Sequence, residues 1–406
     1  MKKISGNPFI VRKDTKIIID LIPIDSLIER FETPFMIFLE NRLRDNINSF
    51  NTIFSEIFEN FHSYYSMKAN YLLDICKIIN SEGMGIEIVS LPEFKLASKA
   101  GFSPDKIIIG GPYLPANLID SSIKNQVKEI IVYSLNDLER IDKVAKKYNL
   151  VQNICIRVNS QKYNSNLGVQ LNETNINVLK NSIRRFNNID LTSILSHFST
   201  QMNNSVQFQK NTHNVVNYLK LLESNDIFIK NVNLGGGFPE ATVMPPEKLR
   251  EVAMDIKSTL DKSGVSYESV SFEPGRYFVG DAGMFITKIV KVNDNRWIFL
   301  DIGNHICPKF ARCSLRFYNA SKINEPHKYK TSIAGIVPTD QDVLAKNYFF
   351  TKNLEEQDFV LVTNTGAYCL TFSNRFPYPL PKITLVTDEH CKLIFHPDRD
   401  RDISLI

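Results

Sequence analysis

The chain has 406 residues, of which 43% are hydrophobic and 23% charged, and these are the proportions of an ordinary globular protein. Its length predicts one large domain with a smaller partner. The net charge of +4 is scattered, which argues against nucleic-acid binding, and no apolar run is long enough for a signal segment or a membrane span. The six cysteines show no regular spacing, which predicts free thiols and a cytoplasmic location.

Strand-like and helix-like segments alternate between about residue 36 and about residue 280. Segment 42–58 has apolar residues at helical spacing, and a second helical segment closes at Gly83, a residue suited to a helix end. The strand-like runs are one that ends at Met67, followed by GIEIVS, KIIIGG, EIIVYS, ICIRVN, TSILSHF, KNVNLGG and SVSFEPG. Eight such units predict an α/β fold with a (β/α)8 TIM barrel, and an open doubly wound sheet stays as the alternative.

The pattern changes after about residue 284, where strand-like runs follow one another without helices. The runs FITKIVKV and RWIFLDIG flank a turn at Asn293-Asp294-Asn295, and YKTSIAGIV, DFVLVTNTG and KITLVTD come later. The sequence therefore predicts a barrel over residues 36–280 and a mostly antiparallel C-terminal β domain over residues 281–406. Residues 1–35 are expected to pack with the β domain.

Lys68 ends the first predicted barrel strand, in the sequence YSMKAN. Active sites of such barrels lie where the strands end, at their C-terminal face. A lysine that emerges there from an apolar strand is suited to Schiff-base chemistry, because desolvation lowers the pKa of its amine. Taken alone, a lysine whose stem reaches to the surface is the commoner interpretation.

Three later strands also end in polar or glycine-rich segments. His197 and Thr200 follow the sixth strand, where an imidazole would pack on an aromatic ring and a hydroxyl would bond a phosphate. Gly235-Gly236-Gly237 follows the seventh strand, and its backbone amides would approach an anion closely. Glu273 and Arg276 follow the eighth strand and would serve a cationic nitrogen and a phosphate. A core histidine, a glycine turn without a ligand and an internal salt bridge are the alternatives.

Other arrangements of reactive residues are less convincing. His390, Cys391 and His396 lack a second pair of ligands at zinc-like spacing, so no metal site is predicted. The chain also has no Gly-x-Ser-x-Gly segment of the kind that serine hydrolases use.

The residues at the strand ends belong to a longer series of motifs that covers nearly the whole chain. In order, these motifs are YSMKAN, GIEIVSLPE, AGFSPDKIIIGG, IRVN, HFSTQ, LGGGFP, EPGRY, DVLA and GAY. In this series the chain resembles the fold-type III pyridoxal-phosphate decarboxylases, the group of diaminopimelate, ornithine and arginine decarboxylases with an alanine racemase-like barrel.

The resemblance implies pyridoxal 5′-phosphate as the cofactor and an amino acid as the small-molecule substrate. It implies Lys68 as the Schiff-base lysine, His197 stacked on the pyridine ring and Glu273 bonded to the pyridine nitrogen. The other residues that it implies around the cofactor are Arg157, Thr200, Gly235, Gly236, Gly237, Gly275, Arg276 and Tyr368. It also implies a homodimer with active sites at the subunit interface.

The carboxylate at Glu273 bears on the type of reaction. In the place that the resemblance implies, it would keep the pyridine nitrogen protonated, so that the ring accepts electrons strongly when CO2 leaves the α-carbon. Alanine racemases of the same fold typically have an arginine there, so the resemblance favours decarboxylation. A racemase or epimerase and a non-catalytic regulatory relative that binds the cofactor remain the alternatives.

Two departures from the family pattern concern the proton donor and the substrate. The family usually has a cysteine that reprotonates the reaction intermediate, four residues before the aspartate matching Asp342, and this chain has Pro338 there. The remaining candidates for the acid are Asp340, Thr339, Tyr368, Cys369 and a water molecule, and we assign the role to Asp340. Thr339 and Asn319 stand where ornithine enzymes carry acidic residues, so we expect a substrate with a neutral or carboxylated distal end. Its predicted contacts are Arg312, Arg316, Tyr318, Thr339 and Asp342.

Overall fold

A computed structural model describes residues 2–160, 165–308 and 314–402 of the chain. The chain divides into two compact units. The barrel unit takes the described residues of Ile47–Pro239 and Val243–Gly275, and the sheet unit takes those of Met1–Asn46, Glu240–Thr242 and Arg276–Ser404. In the described ranges, no helix is both long enough and apolar enough to cross a bilayer.

The strands are numbered in chain order. They are β1 (Lys2–Ile4), β2 (Asn7–Lys13), β3 (Lys16–Ile19), β4 (Ile22–Pro23), β5 (Phe35–Leu39), β6 (Phe61–Ser66), β7 (Gly85–Ile88), β8 (Ile107–Gly110), β9 (Glu129–Val132), β10 (Gln152–Arg157), β11 (Ile189–Leu195), β12 (Asn231–Asn233), β13 (Ser269–Phe272), β14 (Gly283–Asn293), β15 (Trp297–Leu300), β16 (Arg316–Asn319), β17 (Tyr329–Ala334), β18 (Val343–Phe350), β19 (Phe359–Thr363), β20 (Lys382–Thr387) and β21 (His390–Phe395).

The α-helices are numbered in the same way. They are α1 (Ile24–Phe31), α2 (Glu40–Ile57), α3 (Leu73–Ser81), α4 (Leu91–Lys99), α5 (Ala116–Lys124), α6 (Asp137–Tyr148), α7 (Glu173–Arg185), α8 (Ser205–Glu223), α9 (Pro246–Ser263) and α10 (Arg276–Val279). Short 3-10 turns lie at Met67–Ala69, Pro104–Lys106 and Asp294–Arg296. Helix α3 ends at Ser81, two residues before the predicted closing residue Gly83, whose φ of 78° is easily reached only by glycine.

Strands β6 to β13 pair in parallel and close into an eight-stranded barrel. This confirms the predicted fold, and all eight predicted strand-like runs contribute a barrel strand. A cluster of buried side chains from five strands fills part of the barrel: Tyr64, Ile108, Ile131, Cys155 and Leu195. Because the interior is packed with side chains, the barrel is a core and its reactive groups lie at the strand ends.

The sheet unit contains a four-stranded sheet of β1 to β4 and a larger, mostly antiparallel sheet. The predicted hairpin forms, since β14 and β15 pair antiparallel around the turn at Asp294–Arg296. Side chains of β1 to β4 and α1 share one buried cluster with those of β5, β14, β19 and β20. The amino-terminal residues therefore complete the hydrophobic core of the sheet unit.

The position of strand β5 differs from the prediction, which begins the barrel domain at residue 36. It pairs with β14 and β20 in the larger sheet, although the sequence assigns most of it to the barrel. All five of its residues are buried, as is expected of a central strand that is covered on both faces. Hydrophobic pattern alone does not distinguish a buried strand of a barrel from a buried strand of another sheet.

Candidate functional site

Lys68 lies in the 3-10 turn that follows β6, at the C-terminal end of the barrel. Its Nζ is 2.5 Å from Oε2 of Glu87, a buried residue of β7. The Ser66 hydroxyl donates to the same oxygen over 2.7 Å. Glu87, which was not predicted as a site residue, therefore holds the lysine amine at the end of the barrel.

Glu273 directly follows β13 and is partly exposed. Its Oε1 accepts a hydrogen bond of 2.9 Å from the side-chain amide of Asn233, the last residue of β12. Burial and the nearby Glu87 raise the pKa of Glu273, while Lys68 and Arg157 oppose the rise. The carboxyl group is therefore suited to share a proton with a cationic nitrogen, because such a partner would lower its pKa again.

His197 lies two residues beyond β11, beside the glycine turn that follows β12. The Gly236 amide donates to His197 Nδ1 over 3.2 Å, so the ring carries its proton on Nε2 when it is neutral. The Gly235 amide donates to Oδ1 of Asn233 over 2.8 Å. The glycine turn thus orients two side chains of the site.

Only glycine fits the turn at Gly235–Gly237. Gly235 and Gly237 have φ angles of 67° and 94°, and a Cβ on Gly236 would collide with the carbonyl oxygen of Glu273. Glycine is therefore required by close packing of the turn against His197, Glu273 and Ser199, and the phosphate cradle stays a prediction. Thr200, the predicted phosphate contact beside this turn, is exposed.

Arg157 ends β10, and its guanidinium lies over the ring of Tyr133, 4.5 Å from the ring centroid. Its Nη1 donates to the Tyr133 hydroxyl over 2.5 Å, and its Nε is buried without a hydrogen-bond partner among the described residues. Tyr133 follows β9 and was not predicted as a site residue. We call Lys68, Glu87, Arg157, His197 and Glu273 the barrel mouth.

Arg276 and Tyr368 are brought together in the sheet unit. The guanidinium of Arg276 lies over the Tyr368 ring at 5.0 Å from the ring centroid. Tyr368 has a φ of 64°, a left-handed conformation that is uncommon for a tyrosine and often marks a functional position. Arg276 also contacts Glu240, a buried residue that directly follows the LGGGFP motif. Gly275, one residue before Arg276, packs on Ser66 and Ala69 in the barrel unit.

The residues predicted to contact the substrate have internal partners in the sheet unit. Arg316 Nη1 donates to the carbonyl and hydroxyl oxygens of Ser5, and Tyr318 contacts the ring of His327. Asp342 is buried, and its carboxylate accepts hydrogen bonds from the backbone amides of Asn304 and Val337.

The remaining substrate and proton-donor candidates are on the surface or outside the described residues. Pro338, Thr339 and Asp340 are exposed. Arg312 lies outside the described residues.

The side chains fit pyridoxal phosphate, which has an aldehyde, a ring nitrogen and a phosphate. The Lys68 amine suits the aldehyde, and the Glu273 carboxyl, with its raised pKa, suits a protonated ring nitrogen. Arg276, placed over Tyr368, offers the planar fork that binds phosphate.

Comparison with known proteins gives a consistent result. The chain is 22% identical to a diaminopimelate decarboxylase of Staphylococcus aureus over 381 residues, which cover 88% of this chain and 89% of that protein. It is 25% identical to an L-glutamyl-[BtrI acyl-carrier protein] decarboxylase of Niallia circulans, with 87% and 88% covered. The crystal structure of diaminopimelate decarboxylase from M. jannaschii superposes with a TM-score of 0.87 at 23% identity, over 97% of this chain and 96% of that one.

That structural likeness shows the fold. The family itself is shown by a sequence model for the pyridoxal-binding domain of pyridoxal-dependent decarboxylases, which matches residues 43–280. The match spans the barrel strands and every residue of the barrel mouth. The predicted cofactor and reaction class are thereby confirmed, and this chain belongs to the pyridoxal-dependent decarboxylases.

Proposed function

We propose that this amino-acid decarboxylase acts on a substrate whose distal end is neutral or carries a carboxylate. The observation that carries the proposal is the loss of acidic groups at Asn319 and Thr339, where ornithine enzymes have them. Asn319 is fully buried, and its side-chain amide donates to Thr351 and Asp358. A buried amide that is already bonded offers no negative charge to a distal ammonium group.

Lys68 and Glu87 would act together at the aldehyde of the cofactor. The Lys68 amine would hold the aldehyde carbon, and Glu87 would take and return the proton of that amine. The short contact between Lys68 Nζ and Glu87 Oε2 supports this assignment. The buried Ser66 hydroxyl donates to the same carboxylate oxygen, so the proton has a defined acceptor atom.

Glu273 and His197 would position the cofactor ring. When it is bound, the cofactor supplies an electron sink for the pair of electrons that the departing CO2 leaves behind. The Glu273 carboxylate would hold a proton on the ring nitrogen, while Asn233 keeps that carboxylate in place. His197 would stack on the ring, with its orientation fixed by the Gly236 amide.

The phosphate contacts are proposed for Arg276, Tyr368, Thr200 and the Gly235–Gly237 backbone. The positive charge and the planar fork of the Arg276 guanidinium support them. Arg157 and Gly275 would contribute less directly. Arg157 would act through its charge near Glu273, and Gly275 would let the chain pass closely over Ser66.

Asp340 is proposed as the acid that protonates the α-carbon. The bond from the α-carbon to the carboxylate breaks, CO2 leaves, and the carbon takes the proton from the Asp340 carboxyl group. Pro338 has no proton to give, whereas Asp340 is exposed two residues later. Asp342 is unsuited to this role, because its carboxylate is buried and bonded to backbone amides.

Arg312 and Arg316 are both proposed to contact the distal end of the substrate, but the support for the two differs. Arg316 is held by Ser5, so its replacement is expected to affect stability more than substrate binding. Arg312 rests on the sequence alone. Replacing each with glutamine and measuring KM separates them, and unchanged kinetics in both variants would contradict a distal carboxylate contact.

A homodimer and a cytoplasmic location are also part of the proposal. Phe372, Phe376 and Tyr378 are exposed aromatic side chains of one segment in the sheet unit, and such a cluster is typical of an interface. The cysteines in the described ranges are free, as is expected in a reducing compartment. Light scattering tests the dimer, and a monomer at micromolar concentration would refute it.

The substrate proposal is tested with pairs of amino acids of equal chain length. Ornithine is compared with glutamine and glutamate, and lysine with 2-aminoadipate. Diaminopimelate and a carrier-bound glutamyl group are added because relatives are named for them. We expect kcat/KM for CO2 release to be about tenfold or more higher for the non-cationic member, since one unpaired charge costs at least about 1.4 kcal/mol.

A clear preference for ornithine or lysine would overturn the proposal. Each reaction is also run in deuterated water, because exchange at the α-carbon without CO2 release would indicate the racemase or epimerase alternative. That alternative is favoured by Pro338, which replaces the usual proton donor of the decarboxylases.

A further inference from the structure

Arg276 forms a buried ion pair with Glu240 in the sheet unit. The exposed fractions of the two residues are 4% and 0%, and Arg276 Nη1 is 3.3 Å from Glu240 Oε1. Glu240 Oε2 is buried and has no hydrogen-bond partner among the described residues. A buried carboxylate with one long contact and one unsatisfied oxygen is poorly compensated, so its charge is easily lost.

The surroundings of Glu240 contain one further charged pair. Asp281 accepts hydrogen bonds from Arg42 and Asn46 and from the Thr242 amide, which ties the segment of Glu240 to the residues after α10. Gly280 leaves the space that Glu240 occupies, because a Cβ there would lie 2.7 Å from Glu240 Cγ. Burial raises the pKa of Glu240, Arg276 opposes the rise, and Asp281 adds to it.

We propose that Glu240 is the internal counter-ion of Arg276 and takes up a proton when an anionic phosphate binds to that arginine. The proton comes from solvent and goes to the Glu240 carboxylate, and no covalent bond forms or breaks. Glu240 is thus a positioning residue that links cofactor affinity to pH. The inference rests on the proposed role of Arg276 as a phosphate ligand.

The sign of the effect follows from linkage. A phosphate dianion on Arg276 competes with Glu240 for the same charge and repels its carboxylate, so binding raises the pKa of Glu240 further. At pH values between the pKa of Glu240 in the phosphate-free protein and its pKa in the phosphate-bound protein, binding takes up a proton. The affinity for pyridoxal phosphate therefore falls as pH rises through this range. With one proton, the loss is at most about tenfold per pH unit.

The experiment compares the binding of pyridoxal phosphate and pyridoxal to the protein after its cofactor has been removed. Pyridoxal has the aldehyde but no phosphate, so the ratio of the two dissociation constants cancels the titration of Lys68. The range from pH 7.0 to 8.5 is used, because the phosphate group, with a second pKa of about 6, is then a dianion. Dissociation constants are measured by fluorescence titration.

Glu240→Gln imitates the protonated carboxyl group. We expect the advantage of the variant over wild type in binding pyridoxal phosphate to grow as pH rises, by at most about thirtyfold between pH 7.0 and pH 8.5. Pyridoxal binding should be the same in both. A constant ratio between wild type and variant across the range would overturn the proposal, because a purely structural role changes affinity equally at every pH.

Two controls complete the design. Asp358→Asn removes another buried carboxylate of the sheet unit, one that is paired with Lys322, and should leave the pH dependence unchanged. Arg276→Gln should weaken the binding of pyridoxal phosphate but not of pyridoxal. If it does not, the phosphate role of Arg276 fails, which is a different result from the failure of Glu240.

A measurement on wild type covers the case in which Glu240→Gln does not fold. Titration calorimetry in two buffers of different ionisation enthalpy gives the number of protons taken up on binding. We expect a larger uptake with pyridoxal phosphate than with pyridoxal above pH 7. Equal uptake with the two ligands would overturn the proposal.

Discussion

Carboxylates have different kinds of partners at the barrel mouth and in the loop of the sheet unit around Asp342. At the barrel mouth, Glu87 and Glu273 bond to the side chains of Lys68 and Asn233, near a partly exposed end of the barrel. Asp342 is buried and bonds to backbone amides of two loops. Side-chain partners can be exchanged when a ligand arrives, whereas backbone partners fix the fold. The first set is therefore expected to govern turnover and the second to govern stability.

Replacing Lys68 with alanine should have the largest effect. Without the amine, the cofactor has no covalent attachment, and we expect turnover to fall by about four orders of magnitude or more, as for loss of a covalent catalyst. Turnover is measured as CO2 release. Borohydride reduction followed by peptide mass analysis should label the Lys68 peptide in wild type and no peptide in the variant.

Lys128→Ala is the matched control for Lys68. Lys128 is a partly buried lysine just before β9, at the opposite end of the strands, and its Nζ lies over the Tyr64 ring. Its replacement should leave CO2 release and labelling unchanged. A labelled peptide without Lys68 would break the comparison, because the reactive lysine would then lie outside the barrel mouth.

Glu273→Gln should lower kcat by about a hundredfold to a thousandfold. A neutral amide cannot hold the proton on the ring nitrogen, and loss of such an electrostatic contact typically costs this much. Glu268→Gln, an exposed change at the start of the same strand, is the control. Unchanged kcat in Glu273→Gln would mean that the carboxyl group serves only the packing of the barrel end. Thermal unfolding should be little affected.

Asp342→Asn should destabilise the sheet unit by about 2–3 kcal/mol. Both carboxylate oxygens accept backbone amides, and an asparagine would turn an NH2 group toward one of those donors in a buried place. Asp340→Asn, an exposed change in the same loop, should leave the free energy of unfolding unchanged and lower turnover. Denaturant titration and CO2 release separate the two. Equal stability of both variants would contradict the architectural role of Asp342.

The barrel site could be predicted from the sequence because the topology of the barrel fixes where its strands end. Parallel strands that are joined by helices all end at one face, so Lys68, His197 and Glu273 are brought to that face by their places at strand ends alone. Partners within a strand were harder to predict. Glu87 lies inside the run GIEIVS and becomes visible as a partner of Lys68 only when neighbouring strands are in register.

No comparable rule predicts which residues of the sheet unit contact the substrate. Residues of antiparallel strands alternate between two faces, and the sequence does not say which face meets the substrate. Arg316 bonds to Ser5, more than 300 positions away in the chain, and Tyr318 contacts His327 across a loop. The carboxylate of Glu240 follows a familiar motif, but its pairing with Arg276 depends on how two distant segments fold together.

Replacing Glu93 should have the smallest effect. Glu93 is an exception to the comparison, because it is a carboxyl of the barrel unit that should affect stability rather than turnover. It is buried near the start of α4, and its Oε2 accepts the Val89 amide over 2.6 Å. Burial raises its pKa to about 7, and Glu87 adds to the rise. The folded protein therefore binds a proton that the unfolded chain releases near pH 4.5, so stability falls as pH rises toward 7. Between pH 5 and pH 7 the loss is about 2 kcal/mol.

Glu93→Gln keeps an oxygen for Val89 and should remove this pH dependence of stability in the cofactor-free protein, measured by urea unfolding at each pH. Glu59→Gln, an exposed change, should retain it. If wild type and Glu93→Gln show the same slope, the pH dependence of stability arises elsewhere, and Glu93 would not be an exception to the comparison.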